Sequence, residues 1–411
     1  MFFTYRSAIV ATGLLAATFG TAMPAISADE TKEAWRLFVT DQAEGLVTVI
    51  DPTQGNVLDR FSTTGYVTHL KPTESGKTLF AVQMDHDAVH VIETGITLSR
   101  HGDHQDITIK DAALLSTAIE GPRPVHAVMH DDKIFQFFDR DGQARVYDEA
   151  DLLKGGTKHK VVETAAPHHG VVVPLGKYFV VSEPNLDVKT PADKLPPRLG
   201  AKVIDSEGRQ VGEVATCTGL HGEATSAGLV AFGCAEGVLL ARLDGSGSPQ
   251  LELIKYAEEM PEGRVGTLAG GKALQFFLGD FGDDKLVLID PSSDTPFRVV
   301  DLNIRDVHFV LDPVRVKVAY VFTEDGKLHA LDVLSGELVR SVQVTEPYSK
   351  DGHWRDPRPR LAVMGNLIAV TDPREGLVRL LDVETFEEER TIAVEGLPFN
   401  IVAVGGSGLQ H

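Results

Sequence analysis

Histidine recurs at one point in five of eight repeated units, where a short apolar strand begins ahead of a turn and a second apolar strand. The stretches are YVTHLKPTESGKTLFAV (His69), PVHAVMHDDKIFQFF (His126), PHHGVVVPLGKYFVV (His168, His169), GLHGEATSAGLVAFGC (His221) and DVHFVLDPVRVKVAYVF (His308). Imidazole is the commonest protein ligand for metals of the zinc type. Zinc takes four ligands, usually His nitrogens with an optional carboxylate oxygen at about 2 Å. If the first strands of the units line a central channel, these side chains converge at one mouth of it. The spacing therefore points to a metal site.

Strand geometry narrows the ligand set. His126 and His130 have helical spacing, but an extended chain separates them by about 13 Å, so they do not share a metal. His168 and His169 point to opposite faces of a strand, and register against His126 and His221 slightly favours His169. His126, His168 or His169, and His221 are the first choices because their units are consecutive. His69 and His308 flank them. Glu223 lies two positions beyond His221 on the same face, either as a fourth ligand or as an acceptor holding a ring in place. The second strands end in Asp41, Asp85 with His86, Asp139, Glu183, Asp280, Glu324 and Asp372. Being antiparallel to the first strands, they put these acids on the histidine face.

A second cluster is RHGDHQD, with His101 and His104, in a polar stretch at residues 98–110. Local His/Asp-rich loops bind zinc weakly and can pass it on. Nothing resembles a Walker loop, a GxSxG elbow or HExxH, and the DxDG-like pieces lack the full calcium loop.

The elements that must position these side chains are short strands rich in β-branched residues and separated by DG, SG and EG turns. VAYVFTEDGKLHALDVLSGELVRSV reads as strand, acidic-Gly turn, alternating strand ending in Asp332, Ser-Gly turn, and a further strand. The order recurs with Asp51, Glu93, Asp148, Asp205, Asp244, Asp290 and Asp382. The spacing lies within and slightly above the roughly 40–50 residues of propeller blades. One such sheet cannot bury both apolar faces, so neighbours stack and the ring closes. An all-β propeller follows, eight-bladed, with seven as the alternative because the fourth unit carries a Pro-rich, charged insertion (residues 185–198). The strand around Trp35 lacks an inner neighbour and IVAVGG (residues 401–406) follows the last unit, so the C-terminal segment is expected to complete the N-terminal blade.

Residues 1–28 read as an export signal: Arg6, an apolar run over residues 8–19 too short to span a bilayer, then Ala25, Ser27 and Ala28. Residues 29–411 are then one propeller domain in the periplasm, with no membrane span. Net charge is −20, which argues against nucleic acid and anionic membrane as partners. In an exported chain the only two cysteines, Cys217 and Cys234, read as a disulfide; a thiolate metal site is the rival, but CxxC spacing is missing.

The export signal, the eight-unit pattern, the PVHAVMHD, PHHGVVVP and TGLHGEAT segments, the CTGL…GCAEG cysteine pair and the HGDH loop together resemble the periplasmic zinc metallochaperones of bacterial Azt-type ABC zinc import systems, their D component. The resemblance covers the whole mature chain. It implies a non-enzymatic monomer that holds Zn²⁺ and hands it to the importer's solute-binding protein. It also implies a tight site at His126, His168 or His169, and His221, with the HGDH histidines as an auxiliary site. Imidazole sites also take Cu²⁺ or Ni²⁺. Two other classes use the same fold: a propeller enzyme, such as a metal-dependent lactonase or a quinoprotein-like dehydrogenase, and a scaffold that binds partners without metal.

Overall fold

The computed structural model describes Met1 and residues 31–102 and 104–409. The expected export signal lies outside the described residues. Eight small antiparallel sheets follow one another along the chain and form a ring. The third blade is typical, with strands Pro124–His130, Lys133–Phe138, Gln143–Asp148 and His159–Glu163 running from channel to rim. Its second strand buries five of six side chains, since both of its faces meet neighbouring blades. The outermost strand is largely exposed. That gradient is why the inner strands read as continuous apolar runs and the outer ones do not.

The terminal strands pair in the first blade, with Val39 opposite Ile401 and Asp41 opposite Pro398, so the ring closes as expected. Each end of the chain gains ladder hydrogen bonds that neither has alone. The insertion of the fourth blade lies between strands Tyr178–Pro184 and Arg198–Ile204 and leaves that blade's four-strand order intact. The count is therefore eight rather than seven.

One detail differs from expectation. The HGDH stretch is the tip of a hairpin, Ile96–His101 with His104–Ile109, rather than a loop. Ile96 and Ile107 pack with Ala34, and Arg36 binds the carbonyls of Thr94 and Lys110 at the hairpin's base. These alternating apolar residues were hidden by the polar residues between them. The Cys217–Cys234 disulfide forms, and it joins the connection from the fourth blade to the fifth, where Cys217 sits, to the end of strand Leu229–Gly233, which Cys234 follows. The bond thus anchors the segment leading into His221. Cys217 and Cys234 are buried in the apolar cluster shared by these two blades, with Val180, Leu220 and Phe232.

Candidate metal centre

His126, His221 and His69 lie on inner strands, His221 and His69 at the first residue, while His169 sits in the connection just before strand Val172–Leu175. Ring closure brings them to the same mouth of the channel. His126 and His169 are in direct contact, with ring centroids 4.7 Å apart and the two Nε2 atoms separated by 3.2 Å. The His221 ring centroid is 6.3 Å from that of His169. Two imidazoles sharing one tetrahedral zinc with ~2 Å bonds have centroids about 5 Å apart. The first pair already meets that spacing, and His221 stands about 1 Å too far out. As they stand, no three His, Cys, Asp or Glu groups among the described residues form a closed metal cage.

What holds each ring decides what its other nitrogen can do. His169 Nδ1 donates to Asp139 Oδ2 at 2.8 Å, His126 Nδ1 to Glu223 Oε1 at 3.2 Å, and His221 Nδ1 to the carbonyl of Gly266 at 2.6 Å. In all three rings the proton therefore sits on Nδ1 and Nε2 carries a lone pair. Metal-binding histidines are oriented in this way by an acceptor behind the ring. The facing lone pairs of His126 and His169 repel one another, and a cation between them removes that conflict.

Burial sets the electrostatics. Asp139 is fully buried, bonded to His169 and to Arg123 Nε at 3.3 Å, and its Oδ1 has no hydrogen-bond partner. Burial lowers the pKa of His169 and His221, while their Asp139 and Gly266 acceptors pull the other way. His69 is driven down to about 3 by burial and then by Lys71 and His126. Burial raises the Glu223 carboxyl, but His126 and Lys71 outweigh it and hold the group at about 2. His69, His169 and His221 are thus held neutral, and the Glu223 carboxylate charged, across the neutral range. Arg198, half-buried at the end of the insertion, sits within the field of Glu223 and Asp139 and supplies a nearby positive charge.

The other expected residues separate clearly. His168 is fully buried and points into the core, with Nδ1 bonded to Ala166 O and Nε2 to Ser182 Oγ, both at 2.8 Å. It is a structural residue, and of the adjacent pair only His169 faces His126. His308 is not in the cluster: its Nδ1 accepts the Leu361 N–H at 3.0 Å, and it lines a different cavity. His69 lines the same small cavity as His126, His221 and Glu223. The side chains of His101 and His104 lie outside the described part of the structure. Their hairpin joins the ring through Asp106, opposite Leu409. Leu409 is nine residues along the strand from Asn400, the counterpart of the strand-start histidines, and so about 30 Å from the histidine mouth. The roles of Asp139 and the Gly266 carbonyl were not singled out in the sequence; Asp139 was one of a set of strand-end acids, and a backbone carbonyl leaves no residue signal.

This geometry can be set beside known proteins. No family model matches the chain. It is 47% identical over 389 residues to the zinc chaperone AztD of Citrobacter koseri, covering 95% of this chain and 90% of that protein. This chain belongs to the AztD zinc-chaperone family. Crystal structures of that relative agree. One superimposes with a TM-score of 0.87 at 46% identity over 92% of this chain and all of the other. The apo form gives 0.85 at 45% identity, over 92% and 99%. The dihydro-heme d1 dehydrogenase NirN matches at 0.57 with 13% identity over 90% of this chain and 74% of its own, a likeness of propeller fold alone.

Proposed function

We propose that this protein is an exported zinc metallochaperone. Residues 1–28 are removed as a signal, and the mature propeller carries Zn²⁺ in the periplasm to the solute-binding protein of an ABC zinc importer. The cargo is held by Nε2 of His126, His169 and His221, with Asp139, Glu223 and the Gly266 carbonyl orienting the rings. The observation that carries this reading is a shared pattern of contacts: three neighbouring imidazoles at one mouth each set Nδ1 against an oxygen acceptor, and two of them turn their Nε2 atoms toward one another.

Three imidazoles leave one tetrahedral position for an exchanging ligand. A donor protein needs that opening. An acceptor's side chain enters there first, and the donor's imidazoles then leave one at a time, so the ion is never released to water. His221, set wide of the other two, is the first to dissociate. His69 borders the opening, and the His101/His104 hairpin is an auxiliary site remote from it.

The test is direct transfer. Zinc-loaded protein is mixed with the zinc-free solute-binding protein of an ABC zinc importer, in the presence of a chelator that captures free ion. Zinc appearing in the acceptor faster than the donor loses it to the chelator alone supports the proposal. Transfer at the chelator-limited rate, or a purified protein holding no zinc, overturns it.

A further inference from the structure

The channel contains a second chamber of opposite chemistry. A cavity of about 540 Å³ opens between the inner strands of the first, second, seventh and eighth blades, beneath Trp354. Among the described residues its lining includes Lys71 and Arg360 but no Asp or Glu. In a chain of net charge −20 this is the reverse of what composition favours.

Arg360 lies over the ring of Phe399, 4.6 Å from its centroid. Among the described residues its guanidinium makes only long bonds to backbone carbonyls, 3.4 Å to Val307 and 3.2 Å to Pro359. The acid whose charge acts on it, Asp306, is paired with Lys350 at 3.4 Å. The donor fork of Arg360 is therefore left without an anionic partner among the described residues. His308 adds a directional donor. Because its Nδ1 accepts the Leu361 amide, its proton is on Nε2, the nitrogen that cannot then bind a cation. Burial, Arg360 and Lys71 all keep this ring neutral. Lys71 is exposed at the rim, and Trp354 and Val310 give the chamber apolar wall.

We propose that this chamber binds a small organic dicarboxylate. Arg360 and Lys71 supply the charge, with the planar fork of Arg360 matched to a carboxylate. The Nε2–H of His308 fixes orientation, and the apolar wall receives the carbon skeleton. An apolar pocket with a few convergent polar groups is the usual form of a small-molecule site. The inference does not rest on the zinc-carrier function.

Succinate and inorganic phosphate are the probes, titrated into zinc-free protein at constant ionic strength and followed by calorimetry and Trp354 fluorescence. Saturable succinate binding is expected, with phosphate weaker because it cannot use the apolar wall. Arg360→Gln and Lys71→Gln should each weaken succinate by about tenfold or more. Zinc affinity of Arg360→Gln, measured in parallel, should equal that of the wild type, which keeps this test independent of the metal centre. Circular dichroism checks the fold of each variant. If Arg360→Gln fails to fold, the exposed Lys71→Gln and the internal His308→Asn decide. No saturable binding at millimolar succinate, tighter binding of phosphate, or undiminished binding in the folded variants overturns the proposal.

Discussion

The two halves of the channel mouth use the same residue for opposite purposes. In the half built by the third to fifth blades, His126, His169 and His221 each give Nδ1–H to an oxygen and keep a lone pair on Nε2. In the half built by the seventh and eighth blades, His308 receives a backbone N–H on Nδ1 and keeps a proton on Nε2. The first arrangement suits a cation and the second an anion. Position in the repeat brings an imidazole to the channel, and the partner behind the ring decides what it presents there. Lys71 and His69 stand on the border, lining both cavities.

The largest expected effect breaks one half and spares the other. The His126→Ala/His221→Ala double variant should lose tight zinc binding, by about a hundredfold or more in chelator competition, since two of the three proposed ligands go. His308→Ala should leave zinc affinity unchanged. A His308 variant that loses zinc would remove the distinction between the halves.

Next comes the anchoring of the cation half. The Cys217–Cys234 bond closes a loop of 17 residues in the segment entering His221. Removing it with paired serine substitutions should cost about 3 kcal/mol of stability by loop-closure entropy, read as a lower melting temperature. The anion half has no such bond, and strand pairing with the C-terminal segment closes it instead. Orienting acceptors follow. Asp139→Asn and Glu223→Gln should each weaken zinc by about 10- to 100-fold, the usual cost of losing the group behind a metal-binding imidazole. A loss well beyond about a hundredfold would mean that the carboxylate binds the ion itself.

The smallest effect is on pH dependence. Burial holds the folded pKa of His308 well below the ordinary 6.5. Above pH 6.5 the ring is neutral in both states and contributes no slope. As pH falls below 6.5 the unfolded chain takes up a proton that the folded one refuses, so stability declines by up to about 1.4 kcal/mol per pH unit until the folded pKa is reached. His308→Asn should flatten the urea-unfolding stability profile between pH 6.5 and 5 by that amount. An unchanged profile would show that the ring is not held neutral.

Most of the fold was legible because a propeller is a repeated solution to one problem, and its strand–turn–strand order survives divergence. Strand-start histidines could be aligned by eye, which brought His126, His169 and His221 to one mouth. The alignment favoured His169 over His168 only slightly, since the chain there is a connection and not a strand. Nor could it tell His308 from His126: both occupy the same repeat position, and the difference is whether a carboxylate or a main-chain amide from the next blade reaches Nδ1. Such partners come from residues up to 97 positions away. The hairpin at His101 and His104 was missed because its apolar side chains alternate thinly and pack only on the extended terminal strands.

Imidazole tautomers can be read directly from long-range ¹H–¹⁵N correlation spectra of histidine-labelled protein, without and with zinc. The account predicts protonated Nδ1 and bare Nε2 for His126, His169 and His221 in the zinc-free state, with those three Nε2 resonances moving on zinc addition. It predicts protonated Nε2 for His308, unmoved by the metal. A metal-shifted His308, or any of the three cluster rings protonated on Nε2 and indifferent to zinc, would contradict it.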